Sequence, residues 1–445
     1  MTYSLPAASL QFMTFLPSLY LLKFSTDVLA LSPAAIGLAL GIARLWDAFS
    51  DPLAGHWSDR TRSRLGRRRP WLLAASLPIA LSFWAVWSPP ALPTAALTVW
   101  MSVALVLYYT AYSAAFVPHL ALGAELTLNY HERSRLATGR GLMELVGMLT
   151  AALAMGLLGA AEAESKIEAR AMGADVALVF GLASVVIIGF HVSRVRERTE
   201  FQGRGAMSAV SAAGDVRRNP HARVLLAVVF IETLSLAFLG ALFPFFAEQR
   251  GGGQNPGVAM AGLMVVALVS VPGWLAVARR VGKKIPWMIA IAGKGVGFLL
   301  FYIMDADSVW LSFLPLLLIG AGQACSSVLP NAMQADVIDY DELASGERKE
   351  GAYFAAWNVA TKLASAVAIG ASGAILSWTG HRGSGDGVSE SALTSFQALG
   401  SIFPFVLHIV ALILLSRYAL DGEEHARIRR AIERTASGQG GAEAT

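Results

Sequence analysis

Long apolar segments separated by short polar ones dominate this chain. A helix needs about 20 apolar residues to cross a bilayer, and runs of that length recur along the whole sequence. They fall near 8–30, 34–58, 71–88, 94–120, 137–160, 173–192, 221–247, 257–278, 286–304, 309–333, 351–378 and 393–418. The pattern predicts an all-α membrane protein with twelve transmembrane helices.

The composition agrees with this prediction. The 445 residues are 55% hydrophobic and only 15% charged, and the mean hydropathy is +0.54. A soluble protein of this length would fold into several domains with polar surfaces, which this composition cannot supply. The chain has one cysteine, Cys325, so no disulfide forms within it.

Basic residues concentrate in alternate linkers, which tests the span count independently. The linkers 59–70, 193–223 and 279–284 and the tail are rich in arginine or lysine, whereas 30–33, 89–93, 162–170 and 305–308 are short or acidic. Positive residues stay on the cytoplasmic side of membranes. Both termini are therefore expected in the cytoplasm, as an even span count requires. The compact loops favour a bacterial inner membrane.

The longest polar linker divides the chain into two parts. It covers 193–220 and separates an N-terminal half, 1–192, from a C-terminal half, 221–420, which a cytoplasmic tail follows at 421–445. A basic turn with a glycine comes after the second span, at 65–69, and again after the eighth, at 280–284. The repetition predicts two six-helix halves in the major facilitator fold, with a substrate site between them.

The second span carries charges that a membrane helix normally lacks. Asp47 and Asp51 are four residues apart and share one helix face with Arg44. Each charge at bilayer depth costs roughly 2.5–3.5 kcal/mol unless it is paired or lines a wet cavity. The two acids predict a cation site, and hence an ion-coupled transporter. Alternatively, Arg44 neutralises Asp47 and leaves Asp51 as a helix-end acid.

Short motifs spread over most of the chain resemble those of one transporter family. The motifs are Trp46-Asp47-Ala48, Asp51-Pro52, Val117-Pro118, Gly123-Ala124-Glu125-Leu126-Thr127, Ala335-Asp336-Val337-Ile338-Asp339-Tyr340 and Glu350-Gly351-Ala352-Tyr353-Phe354. With them the chain resembles the glycoside–pentoside–hexuronide:cation symporters of the major facilitator superfamily. The resemblance implies a monomeric, cation-coupled symporter that moves a sugar, glycoside or related solute by alternating access.

The resemblance also implies which residues bind the coupling ion. The cation positions of the family correspond here to Asp47, Ser50, Asp51 and Ser113. Sodium is a hard ion that prefers oxygen ligands, so the residue types suit Na⁺, with H⁺ or Li⁺ as alternatives. No cofactor besides the coupling ion is expected.

The implied substrate positions depart from the family pattern. The basic ones are present as Arg140 and Lys362, but the two acidic positions hold Gln11 and Phe116. A glutamine replaces part of a carboxylate's hydrogen bonding and a phenylalanine none of it, so recognition has changed. Alternatively, Lys362 forms a structural ion pair, and Arg140 pairs with Glu144 one turn later.

Charged residues near the cytoplasmic ends resemble a gate. Pairs of this kind hold one state of a transporter and break in another; alternatively, they are solvated loop ends. The candidate charge network consists of Arg44, Asp59, Arg60, Glu125, Asp336 and Asp339.

Two other functions remain open from the sequence. The chain also resembles sodium-dependent lysolipid symporters, and Phe116 with the phenylalanines of 243–246 would suit an acyl chain. The more remote alternative is a membrane sensor that does not transport. No metal-ligand spacing, phosphate-binding loop or nucleophile–base pair indicates an enzyme, and no basic segment indicates nucleic-acid binding.

Overall fold

The computed structural model describes residues 2–126, 130–195, 197, 216–249, 256–303, 309–346, 349–381, 390–420 and 422–436. Within these ranges the regular structure is helical, which confirms the all-α prediction. The helices are α1 (Leu5–Leu16), α2 (Pro33–Arg60), α3 (Arg69–Trp87), α4 (Thr94–Glu125), α5 (Tyr130–Glu164), α6 (Lys166–Arg194), α7 (Pro220–Gln249), α8 (Pro256–Val281), α9 (Lys284–Ile303), α10 (Val309–Ser345), α11 (Glu350–Trp378), α12 (Glu390–Ser416) and α13 (Gly422–Ala436).

Ten of the helices in the described ranges are long and apolar enough to cross a membrane. They are α3 to α12, so length and composition alone do not fully reproduce the predicted count of twelve. The first predicted span is divided, because α1 is followed by two π-helical turns, Pro17–Leu21 and Phe24–Val28. The second, α2, contains the charges that singled it out in the sequence.

The chain forms two compact units that do not follow the predicted linker. The first unit comprises Met1–Ala206, Ala237–Met264 and Ser365–Gln397, and the second comprises Met207–Leu236, Val265–Ala364 and Ala398–Thr445. In the first unit α1 packs on α5 and α6, α2 packs on α4, and α3 packs on α4 and α6. The division into six-helix halves stays a prediction.

Glycines bring α2 and α11 into backbone contact within the first unit. A Cβ atom added to Gly373 would lie 2.3 Å from the carbonyl oxygen of Pro33 and 2.7 Å from Cα of Gly37. A Cβ on Gly41 would lie 3.0 Å from the carbonyl oxygen of Ala366. Small residues permit such close crossings between membrane helices, so no larger side chain fits at this contact.

The second unit has an apolar core on which the tail helix rests. Trp287, Met333 and Leu415 are buried in this core. Ile428 of α13 joins it and is only 3% exposed. The tail helix α13 is therefore docked through an apolar side chain, while residues 437–445 lie outside the described ranges.

Candidate functional site

Three of the predicted cation ligands meet in the first unit. Asp47 on α2 is 1% exposed, and its Oδ1 accepts a 3.0 Å hydrogen bond from Ser113 Oγ on α4. Ser50 Oγ lies 2.7 Å from Ser113 Oγ and donates to the Asp47 carbonyl oxygen at 3.2 Å. A carboxylate and two hydroxyls from two helices thus form one buried group. We call Asp47, Ser50 and Ser113 the oxygen cluster.

Two prolines change the backbone beside the oxygen cluster. Pro52 follows Asp51 inside α2, and Pro118 lies inside α4. Because proline has no N–H, neither residue donates the helical hydrogen bond to the carbonyl four positions earlier, at Ala48 and Ala114. Backbone carbonyls directly after Asp47 and Ser113 are therefore released from that helical bond.

The donor set suits a small hard cation of low charge. The described residues contain no group of three or more histidine, cysteine, aspartate or glutamate side chains that could hold a metal ion. Asp47 and Asp51 offer two carboxylates, and the remaining oxygens are hydroxyls. Hard cations prefer such ligands, and a pair of acids balances one or two positive charges rather than more.

Arg44 is held by α1 and α4 as well as by its neighbouring acid. Its Nη2 donates to Ser18 Oγ at 2.7 Å, and its guanidinium lies 4.9 Å from the ring centroid of Tyr109. The distance from Nη1 to Asp47 Oδ2 is 3.8 Å. The alternative in which Arg44 neutralises Asp47 therefore explains the long ion pair between these two residues. It does not explain the hydrogen bonds of Ser50 and Ser113 to Asp47.

Arg140, the predicted substrate residue on α5, lies beside the acid that the alternative interpretation pairs with it. Arg140 Nη1 lies 3.4 Å from Glu144 Oε1, and the two side chains are 28% and 29% exposed. The pair is therefore open to solvent or ligand. Lys362 is half-buried on α11, and this residue belongs to the second unit.

The positions that replaced the family's acids lie on α1 and α4. Gln11 is half-buried where α1 approaches α5, and its Cβ would be 3.0 Å from a Cβ added to Gly147. The ring of Phe116 stacks on Tyr112, with 5.3 Å between centroids and 15° between planes. Tyr112 directly precedes Ser113 along α4.

The predicted gate acids at the ends of α2 and α4 form ion pairs with arginines of the loop between α2 and α3. Asp59 contacts Arg68, and Glu125 accepts from Arg67 at 2.7 Å and from Arg68 at 3.1 Å. Arg60 is exposed at the end of α2. The acids at the end of α2 and α4 thus secure the loop between α2 and α3, and their gating role stays a prediction.

The predicted gate acids of α10 also have nearby partners. Asp336 binds Lys283 Nζ at 2.6 Å. Asp339 Oδ2 lies 3.0 Å from His425 Nε2 and 3.7 Å from Arg429 Nη1, both on α13. These acids therefore attach the tail helix and the loop before α9 to the end of α10.

Sequence reasoning missed an acid that secures the basic loop. The carboxylate of Glu197 accepts hydrogen bonds from the backbone N–H groups of Arg67, Arg68 and Arg69, at 2.7, 2.8 and 2.7 Å. Successive N–H groups at the start of a helix form an anion-binding concavity. Glu197 lies in a linker that is rich in basic residues. Its distance along the sequence from the loop does not indicate that the two are in contact.

A second buried charge cluster lies in the second unit. Lys294 on α9 contacts Glu232 on α7. The two residues are 2% and 6% exposed, respectively. Trp287 Nε1 donates to the Glu232 carboxylate at 2.8 Å, and Lys294 donates to Ser326 Oγ at 2.8 Å. The hydrogen bonds of this pair join α7, α9 and α10, and its position inside apolar runs was the only sequence signal.

Comparison with known proteins places this geometry in one family. A family model described as "MFS/sugar transport protein" matches residues 2–422. The chain is 26% identical to a putative glycoside/cation symporter, YagG, of Escherichia coli strain K12, over 94% of this chain and 90% of that protein. It is 25% identical to the sodium-dependent lysophosphatidylcholine symporter 1-A of Danio rerio, over 91% and 82%.

The fold has close counterparts among solved transporters. The inward-open xylose transporter XylE of E. coli superimposes with a TM-score of 0.66 at 13% identity, over 97% of this chain and 99% of that one. This confirms the predicted major facilitator fold. The family match confirms that the protein is a membrane transporter and not an enzyme. On the match over residues 2–422, the chain belongs to the MFS/sugar transport protein family.

Proposed function

We propose that this protein is a cation-coupled symporter that moves a sugar, glycoside or related small solute by alternating access. The observation that carries the proposal is the oxygen cluster of Asp47, Ser50 and Ser113, which joins α2 to α4. Asp51, one turn further along α2, supplies a second carboxylate. Two acids on one face repel each other, and a bound cation relieves the repulsion.

The coupling ion is Na⁺, with H⁺ and Li⁺ as the competing assignments. Both hydroxyls and the freed carbonyls beside the prolines are neutral oxygen ligands, which a metal cation uses and a proton does not require. A sodium ion that binds Asp47 and Ser113 together fixes α2 against α4. This ordering raises the affinity of a substrate that contacts the same helices, which is the coupling that symport needs.

Arg140 and Glu144 form the substrate contact on α5. Gln11 and Phe116 supply no carboxylate, but the partly exposed Glu144 does, 3.4 Å from the Arg140 guanidinium. A carboxylate accepts hydrogen bonds from adjacent sugar hydroxyls, and a guanidinium donates to ring or hydroxyl oxygens. The aromatic ring of Phe116 offers a face on which the apolar side of a sugar packs. Lys362, on α11, stays a predicted substrate residue.

The available driving force is sufficient for accumulation. One charge that moves through 100 mV contributes about 2.3 kcal/mol, and a tenfold ion gradient adds about 1.4 kcal/mol. Their sum, about 3.7 kcal/mol, supports accumulation of a neutral solute by several hundredfold. The protein acts as a monomer in the bacterial inner membrane, with both termini in the cytoplasm.

A lysolipid is the second candidate substrate, favoured by the similarity to a lysophosphatidylcholine symporter. The phenylalanines suggested for an acyl chain argue less for it. Phe243 and Phe245 are 5% and 1% exposed, and the ring of Phe245 packs edge-on against His381 with centroids 5.2 Å apart. They fill the interior of the first unit, so the sugar assignment is retained.

The melting temperature of the purified protein tests both assignments. We expect a glycoside or sugar to raise it, and to raise it further when Na⁺ replaces choline. Glu144→Gln removes the ligand effect but keeps the effect of Na⁺ alone. Stabilisation by lysophosphatidylcholine in the absence of any glycoside effect would contradict the sugar assignment, and an ion effect that survives Asp51→Asn would contradict the cation site.

A further inference from the structure

A buried ion pair in the second unit holds a cation that belongs to the chain itself. Lys294 on α9 donates to the carboxylate of Glu232 on α7, and to Ser326 Oγ on α10 at 2.8 Å. Ser326 Oγ donates in turn to Glu232 Oε1, also at 2.8 Å. The ammonium group is therefore bound by one carboxylate and one hydroxyl, which come from two different helices.

The second carboxylate oxygen of Glu232 is also held by the protein. Trp287 Nε1 donates to Glu232 Oε2 at 2.8 Å, and the indole, the carboxylate and Lys294 are all buried. A charge at this depth in a membrane is costly unless an opposite charge compensates it. The carboxylate therefore requires a positive charge beside it, and the chain supplies one as a side chain.

A glycine and a proline shape α10 around the ammonium group. A Cβ atom added to Gly322 would lie 2.5 Å from Lys294 Cγ and 3.2 Å from Cδ, so the glycine leaves the space that the lysine stem fills. Pro330 lies inside α10 and has no N–H, so the carbonyl of Ser326 is released from its helical hydrogen bond. Ser326 thus has two neutral oxygens of the kinds that hard cations prefer.

The same kinds of groups form the oxygen cluster of the first unit. There Ser113 donates to Asp47, and Arg44 Nη1 lies 3.8 Å from the carboxylate. In the second unit a serine of α10 donates to Glu232 in the same way, but Lys294 Nζ contacts the carboxylate directly. The arrangement that the oxygen cluster offers to an ion from solution is therefore satisfied here by a side chain.

We propose that Glu232 and Ser326 form a second binding site for a monovalent cation, which the ammonium group of Lys294 fills permanently. We call these three residues the tethered-cation site. One carboxylate balances one positive charge, so the site takes Na⁺ or a small alkylammonium ion once the lysine is removed. The inference goes beyond the proposed symport, because it concerns the second unit alone and is tested without transport.

Removal of the lysine side chain should open the site to ions from solution. Lys294→Ala deletes the ammonium group and leaves its space beside Gly322 free. Lys294→Met also deletes the charge but fills that space, so it is the matched control. Both changes are made in the full-length Asp51→Asn protein, in which we expect the oxygen cluster to show no Na⁺ effect. The melting temperature is titrated with NaCl or methylammonium chloride, at constant ionic strength set by choline chloride.

Both small cations should raise the melting temperature of the Lys294→Ala protein in a saturable way, because either one replaces the missing ammonium group. The Lys294→Met protein and the protein that keeps Lys294 should show no such rise. The added change Ser326→Ala should raise the half-maximal cation concentration about tenfold, since it deletes one ligand. The added change Glu232→Gln should abolish the cation effect.

The outcomes separate the tethered-cation site from the oxygen cluster. Equal cation effects in the Lys294→Ala and Lys294→Met proteins, or an effect that survives Glu232→Gln, would overturn the tethered-cation site. If Lys294→Ala is recovered folded only with NaCl or methylammonium chloride, the site is supported. If Lys294→Met folds and Lys294→Ala folds with neither cation, the site is overturned. A Na⁺ effect in the Asp51→Asn protein that keeps Lys294 would contradict only the role of Asp51, since the second site is judged from differences between variants.

Discussion

Removal of one hydroxyl, by Ser113→Ala, tests the oxygen cluster most sharply. Ser113 is fully buried, donates to Asp47 Oδ1 at 3.0 Å and contacts Ser50 Oγ at 2.7 Å. The substitution deletes a hydrogen bond to a charged group, which contributes about 1.5–3 kcal/mol, and it deletes one proposed ligand. We expect the Na⁺ concentration for half-maximal stabilisation to rise about ten- to hundredfold.

The assay is a titration of melting temperature with NaCl, at constant ionic strength set by choline chloride. Ser184→Ala is the matched control, because Ser184 is also a fully buried serine of the first unit. Among the described residues its Oγ donates to the neutral Ser9 Oγ, at 3.3 Å, and to no carboxylate. The control should lower the melting temperature slightly without a change in Na⁺ affinity. Equal Na⁺ affinities for the two variants would refute the role of Ser113 as a ligand.

Three further substitutions test the packing and the charge clusters. Gly373→Ala should slow transport strongly, because its Cβ would lie 2.3 Å from a backbone oxygen. Gly370→Ala should be nearly neutral, because the nearest described atom to its Cβ is a backbone oxygen at 3.8 Å. Uptake rates at equal protein amounts compare the two variants. Glu232→Gln should destabilise the protein by about 3–5 kcal/mol, since it leaves a buried Lys294 without its charge partner; a melting temperature restored by the added change Lys294→Met would confirm that cause. Glu197→Gln should weaken the capped loop, seen as faster proteolysis between α2 and α3, and unchanged proteolysis would contradict the importance of its three backbone contacts.

The helices could be predicted from the sequence because each span must satisfy its own backbone in lipid. Apolar length therefore located α3 to α12 closely. The π-helical turns Pro17–Leu21 and Phe24–Val28 could not be predicted in the same way. A hydropathy pattern reports how apolar a segment is, and not how many residues form each of its turns.

The candidate site was predictable in part. The pair of acids on α2 stood out because charge is costly in a bilayer, and Ser113 was reached only through the family resemblance. The contact between Asp27 and His381 spans 354 positions, and a single sequence does not record which distant residues meet. Lys23 and Asp27, four residues apart, form an ion pair at 2.6 Å in a segment that the apolar pattern had assigned to a span.

The most direct test of the central claim is uptake into proteoliposomes under an imposed Na⁺ gradient. The wild-type protein and Ser184→Ala are predicted to accumulate a glycoside identified by thermal stabilisation, and to stop when the gradient is collapsed. Asp51→Asn is predicted to lose gradient-driven accumulation. Accumulation by Asp51→Asn at the wild-type level, with or without the gradient, would contradict cation-coupled symport.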